Sequence, residues 1–260
     1  MFLQKLISKN NKHPDINDSR KRIFSKNNQN LNFLLEKRFL WMEPFLKNRK
    51  IIIELGSGNG CIKSILKNNI ILTDIVQHEW IDEEVDMLEL NLNKRYLNNV
   101  DAIIINHSLH HCANPYQTLK KISTFLKKGG LILINEPETS IILRIIQIIL
   151  KDEGFDETVN VFNNKNLFFP EDPWLSNTSI AKLLFKNKKK FEENFPEYFI
   201  KKNKLSEFII FLNSGGVNSA FKYLKLSKFL LNLAFIFDSI LIKIFPSIFA
   251  FNRMVVLEKK

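Results

Sequence analysis

Ile51-Ile52-Ile53-Glu54-Leu55-Gly56-Ser57-Gly58-Asn59-Gly60 is the stretch on which the reading of this chain turns. Three β-branched residues in a row make a short buried strand, and three alternating glycines behind it make a loop. Glycine lets the backbone bend sharply and lets a ligand come close to main-chain N–H groups. Cys61, Ile62, Ile65 and Leu66 then predict a helix face, with a stop at Asn68-Asn69.

The same alternation continues outward. Ile70-Ile71-Leu72 is the next strand and ends at Asp74, a weak strand follows near Glu84–Met87, and Ala102 to Ile105 is a strong buried one. Tyr116, Leu119, Ile122, Phe125 and Leu126 share a helix face that runs to Gly129-Gly130, and Leu131 to Ile134 is another buried strand. Continuous apolar strands separated by helices indicate a sheet covered on both faces. The fold class is therefore α/β, a Rossmann-like doubly wound and mostly parallel sheet with helical cap insertions. Residues 1–47 form a polar segment, frayed over 1–28, and a lead-in helix that begins at Leu31 and ends near Pro44. Residues 48–137 form the ligand-binding core. Residues 138–260 form a cap and substrate region, with closing strands at Tyr198–Phe208 and, as an edge, Met254–Leu257.

The glycine loop leaves its ligand to be identified. A dinucleotide fingerprint requires glycine at position 61, which is Cys61, and no Lys-Ser/Thr pair follows to make a P-loop. Glu54 sits beside the loop, where a carboxylate would repel a pyrophosphate but suits the ammonium and sulfonium charges of S-adenosylmethionine. Asp74, 18 residues after Gly56 at the end of the second strand, is placed to accept hydrogen bonds from ribose hydroxyls.

Four segments in order, I-I-I-E-L-G-S-G-N-G, the acid of L-T-D, V-D-A-I-I-I-N-H-S-L-H-H-C-A-N-P and L-K-K-G-G-L-I-L-I-N-E-P, resemble the type 11 methyltransferase domain family of class I S-adenosylmethionine-dependent methyltransferases. F-P-E near Phe195 and S-G-G-V at Ser214 to Val217 are similar to bacterial methyltransferases associated with surface-polysaccharide genes. The resemblance implies that Gly56, Ser57, Gly58 and Gly60 border the methionyl part of the cofactor with Glu54 nearby. It implies that Asp74 holds the ribose, that Asp86 faces the adenine amino group, and that Asn106 and His107 lie near the sulfonium. The context D-M-L-E-L around Asp86 departs from the commoner D-A-x-x-L-P.

Methyl transfer is an in-line displacement, so the enzyme must align the partners and exclude water, and an oxygen or nitrogen acceptor also has to lose a proton. His110, His111 and Glu136 are the candidate catalytic groups because each follows the carboxyl end of a strand. Packing or capping competes as a role for the histidines, and capping of the following helix competes for Glu136. No metal is expected, since His107, His110, His111 and Cys112 match no usual zinc spacing.

With 45% hydrophobic residues and 23 Phe in 260 residues the chain has ample material for a core. Cys61 and Cys112 give no disulfide framework, so a reducing cytoplasm is expected. The net charge of +11 is spread along the chain and no groove-reading motif accompanies it, which disfavours nucleic acid. No run of ~18 apolar residues occurs, because Phe229–Phe251 is broken by Asp238, Lys243 and Pro246. Two segments, 140–151 and 224–245, predict helices with only a thin polar stripe. Mutual packing in a cap and a homodimer interface are the first expectations for them, with a lid over a lipid-linked acceptor or a peripheral membrane contact as the others. Trp80 and Trp174 read first as core aromatics and second as acceptor-pocket walls. The functional expectation is methyl transfer to oxygen or nitrogen of a small-molecule, glycan or lipid-linked acceptor. The alternative is a membrane-binding module that keeps the cofactor fold without turnover.

Overall fold

The computed structural model describes residues 15–150, 153–169 and 175–260. The readings for Met1–Ile7, Lys151, Pro170, Pro173 and Trp174 therefore lie outside the described residues. Seven strands, β1 (Ile52–Leu55), β2 (Ile70–Asp74), β3 (Glu83–Glu84), β4 (Val100–Asn106), β5 (Leu126–Pro137), β6 (Tyr198–Ser206) and β7 (Asn252–Lys259), form one sheet in the order β3-β2-β1-β4-β5-β7-β6. The first five pair in parallel, while β7 runs antiparallel to both β5 and β6. The sequence reading puts Met254–Leu257 at an edge. Instead β7 is interior and β6 is the edge, which explains why Val255, Val256 and Leu257 are all fully buried.

Ten helices flank the sheet among the described residues: α1 (Ile16–Ser25), α2 (Gln29–Phe39), α3 (Glu43–Leu46), α4 (Pro115–Phe125), α5 (Ile141–Leu150), α6 (Ile180–Phe185), α7 (Lys188–Asn194), α8 (Ile209–Leu212), α9 (Lys228–Ile244) and α10 (Pro246–Phe249). Strand residues alternate between the two faces. Ile53, Ile103, Ile105 and Ile134 pack under Leu119 and Ile122 of α4, Leu184 of α6 and Phe191 of α7. Ile52, Leu72, Ile104 and Leu133 pack under Ile23 of α1 and Leu31, Leu35 and Phe39 of α2.

That second face departs from the sequence reading. The helix predicted over Cys61–Leu66 is only a 3-10 turn, Cys61–Ser64. The whole crossover from β1 to β2 is 14 residues, 56 to 69, near the lower limit of about a dozen for a parallel connection, and the glycine loop takes the first five of them. The face left open is covered from the N-terminal side, so the segment expected to be frayed supplies a helix there. Asp15 caps α1 by accepting from the N–H groups of Asn17 and Asp18 at 2.8 and 3.3 Å, and Ile23 enters the core. The weak strand near Glu84–Met87 is reduced to the two residues of β3.

One buried ion pair ties this N-terminal layer to the far edge of the sheet. Arg38 of α2 forms a two-pronged pair with Glu207, just beyond β6, Nε to Oε1 being 3.0 Å, and both side chains are 3% exposed. Replacing Arg38 by Met strands a buried carboxylate. Urea denaturation is expected to show a loss of about 3–5 kcal/mol of unfolding free energy, and an unchanged midpoint would refute a stabilising role for the pair.

Candidate active site

The chain leaves β1 toward β2 and β3 on one side and resumes at β4 on the other, so the strand order reverses between β1 and β4. Beyond their carboxyl ends lies the crevice where open α/β sheets take ligands. The glycine loop turns there. Gly56 has φ +68°, and a Cβ on it would stand 2.5 Å from the Cβ of Ser108. Ser108 follows β4 and donates its hydroxyl to the Leu55 carbonyl at 2.8 Å, which draws the two strand ends together.

Ser57 is engaged with β2. Its N–H donates to the Thr73 carbonyl at 2.9 Å, and its hydroxyl accepts from the Thr73 N–H at 3.2 Å. Gly58, at φ +52°, donates its N–H to Asp74 Oδ2 at 2.7 Å and accepts from Trp80 Nε1 at 2.8 Å. Trp80 is thus a brace of the loop. Helix α1 lies over it, with Arg20 donating to the Asn59 carbonyl at 2.8 Å and its guanidinium 4.5 Å from the Trp80 ring, while Asn59 donates to the Ser19 hydroxyl. Sequence reasoning missed Ser19, Arg20 and Asn59, since nothing local in a polar N-terminal segment signals a partner some 39 residues away.

Glu54 ends buried under this loop, and its Oε2 has no partner. Burial pushes its carboxyl up to about 8, and the neighbouring Asp74 adds to the rise. An orphaned, desolvated carboxyl beside a glycine turn fits the cationic methionyl end of S-adenosylmethionine. Asp74, the last residue of β2, also accepts from the Val76 N–H at 3.1 Å. Asp86 lies just after β3, its Oδ1 accepting from the Leu88 N–H at 2.7 Å. Asn106 ends β4 and accepts from Asn135 Nδ2 at 2.9 Å, and His107 beside it leaves a buried Nε2 unpartnered. Burial, then the charge of Arg38, hold His107 neutral. All of these candidates line the same end of the sheet.

Next to them is a 3-10 turn, Leu109–His111. Glu136, near the end of β5 and fully buried, accepts from the N–H groups of Ser108, Leu109 and His110 at 2.7, 2.8 and 3.3 Å. It therefore caps this turn and not the helix that follows it in sequence, because adjacent parallel strands bring the two loops together. Its Oε2 also lies 2.6 Å from His110 Nδ1. The other ring nitrogen of His110 is 3.4 Å from Glu153. Burial opposes charge on His110, but Glu136 and Glu153 outweigh it and raise the imidazole to about 10.

His111 is the opposite case. Its Nδ1 is 3.1 Å from the Leu175 carbonyl, which can only accept, so Nδ1 carries the proton and Nε2 the lone pair. Burial, then the charged His110, lower His111 to about 4. Glu153 was not among the sequence candidates, since it belongs to a polar irregular stretch without periodicity. One donor atom from each of His110, His111 and Glu153 lies within 4.8 Å of the others, a spacing that would admit a divalent ion. Cys112, from the cluster weighed on sequence, turns away and contacts the Thr118 hydroxyl at 3.0 Å.

Residues 19–186 match the family model described as methyltransferase domain. No curated protein sequence matches the chain. Among solved structures, a SAM-dependent methyltransferase from Archaeoglobus fulgidus is 16% identical, with 92% of this chain and 99% of that one aligned and a TM-score of 0.48. The PH0226 protein from Pyrococcus horikoshii OT3 is 14% identical over 95% of each chain, with a TM-score of 0.45. The matched stretch runs from α1 through the glycine loop and the histidine turn to the end of α6, well over half of the sequence. The chain belongs to the methyltransferase domain family.

Proposed function

We propose that the enzyme methylates a hydroxyl or amine of a small-molecule, glycan or lipid-linked acceptor, with His111 taking the acceptor proton. S-adenosylmethionine, when bound, supplies a methyl group on positively charged sulfur. Glu54 and the backbone of Gly56, Ser57, Gly58 and Gly60 would hold its amino-acid end, Asp74 the ribose and Asp86 the adenine, with Asn106 and His107 along the reacting edge. The observation that carries the acceptor chemistry is the division of labour between the two adjacent histidines. Fixed between two carboxylates, His110 is charged and 2% exposed, so it positions the turn. His111 is neutral, its side chain is 30% exposed, and its tautomer leaves the Nε2 lone pair free to accept a proton. Glu136 acts through His110 and is likewise a positioning residue. The resemblance of F-P-E and S-G-G-V to polysaccharide-associated enzymes supports a glycan-linked acceptor.

Three outcomes test the reading. Asp74→Ala should weaken S-adenosylmethionine binding by at least ~1.5 kcal/mol in calorimetry, as expected for hydrogen bonds to a charged group, and unchanged affinity removes Asp74 from the site. His111→Gln should lower kcat by roughly 100-fold without altering cofactor affinity. A kcat equal to wild type, measured on a hydroxyl or amine acceptor, refutes the base assignment.

Glu54 gives the third. Its carboxyl is raised from 4.5 to about 8 in the fold, so between those values the folded chain holds a proton that the unfolded chain has released. That contribution to stability is complete below 4.5 and is lost as the pH rises through about 8. The ligand-free protein should therefore lose melting temperature as the pH rises toward 8, and Glu54→Gln should flatten the trend. An equal slope in the variant would show that Glu54 is ionised without a ligand.

A further inference from the structure

Two helices of the cap carry large apolar side chains on their outer faces. In α5, Ile-Ile-Leu-Arg-Ile-Ile-Gln-Ile-Ile-Leu, the two polar residues face the protein. Gln147 is 5% exposed and donates to the Thr178 hydroxyl at 3.0 Å, and Arg144 pairs with Glu157 at 2.9 Å. Ile145 and Ile149 point outward, 50% and 71% exposed. In α9 the acid is inward. Asp238 is 1% exposed and accepts from the N–H groups of Phe208, Ile209 and Ile210 at 2.8–3.2 Å, where it caps α8. Phe229, Ile236, Phe237 and Ile244 point outward at 51–69% exposure. Helix α10 packs against both α5 and α9 and bridges them. Folding leaves these groups in water while Gln147 and Asp238 of the same helices are buried, so the outer faces are more apolar than a surface helix requires.

The charge around that surface selects its occupant. From Phe208 to Leu257 the sole acidic residue is Asp238, and it is buried. Lys222, Lys225, Lys228 and Lys243 of the same segment are exposed. Lys228 opens α9, where a cation opposes the helix dipole, so local helix stability does not account for it. A second copy of the chain, packed about a two-fold axis, would bring these lysines against their own counterparts. An anionic bilayer would pair with them while taking the aromatic and aliphatic side chains below its headgroups. No helix among the described residues is long and apolar enough to cross a membrane.

We propose that α5, α9 and α10 form a docking face that lies in the surface of an anionic lipid membrane. The proposal does not rest on the acceptor chemistry above, because every residue in it lies outside the cofactor crevice and the histidine turn.

Co-sedimentation of the full chain with phosphatidylcholine vesicles, with and without phosphatidylglycerol, tests it. The wild type should partition onto the vesicles containing phosphatidylglycerol and release as salt is raised. Lys225→Gln and Lys228→Gln should each cost about five-fold in partition, the conversion of about 1 kcal/mol per basic residue near such a surface. Phe237→Ser combined with Ile236→Ser should abolish sedimentation, while circular dichroism and cofactor affinity stay as in the wild type because both positions are exposed. Failure to bind either vesicle, or equal binding by the double serine variant, overturns the proposal. So does light scattering that shows a lipid-independent dimer dissolved by the same serines, which would make a second copy the occupant.

Discussion

Contact between the ends of β1 and β4 is the constraint on which the rest of the site depends. The turn after Leu55 passes so close to Ser108 that a single added carbon would overlap it. Because it can pass, the Ser108 hydroxyl reaches the Leu55 carbonyl, and the cofactor loop and the histidine turn become adjacent walls of one crevice. Glu136 then fixes the second wall by taking three backbone N–H groups and one imidazole in a dry environment, where each hydrogen bond is strong and each loss is costly. The chemistry of the neighbouring side chains follows from that placement. His110 is charged because two carboxylates hold it, and burial, together with the charge of His110, keeps His111 neutral.

Glu54 carries the opposite sign of the same logic. Most buried acids in this protein are answered, Glu136 by main-chain donors, Glu207 by Arg38 and Glu138 by Arg253. Glu54 is left with an unanswered oxygen directly under the glycine loop. A group that is costly to bury alone is most simply explained by a positively charged ligand that completes it.

Much of this was legible in the residues. Strands β1, β2, β4 and β5 announce themselves by uninterrupted apolar runs, and Asp74, Asp86, Asn106 and His107 fall where the parallel pattern puts them. The failures are all of one kind. Cys61–Leu66 has helical spacing, but spacing does not register that the glycine loop has already used part of a short crossover. Residues 16–25 look too polar to matter, since the partners of Arg20 and Ser19 are distant in sequence and near only once the sheet exists. Glu136 reads as a candidate catalytic group or a cap for what comes next, whereas its donors come from the neighbouring strand's loop, and Glu153 carries no local pattern at all. Periodicity records which way a side chain faces; it does not record which chain segment lies opposite.

The missing crossover helix has a consequence for how the molecule is assembled. In most sheets of this architecture the layer above β1 and β2 is laid down by the residues joining them, within a short loop. Here it is borrowed from α1 and α2, which are already synthesised before either strand appears. Closure of that layer by α1 therefore joins segments well separated along the chain, at a higher entropic cost than a local helix would incur, and the nascent N-terminal helices must keep their apolar stripes out of other company until the strands arrive.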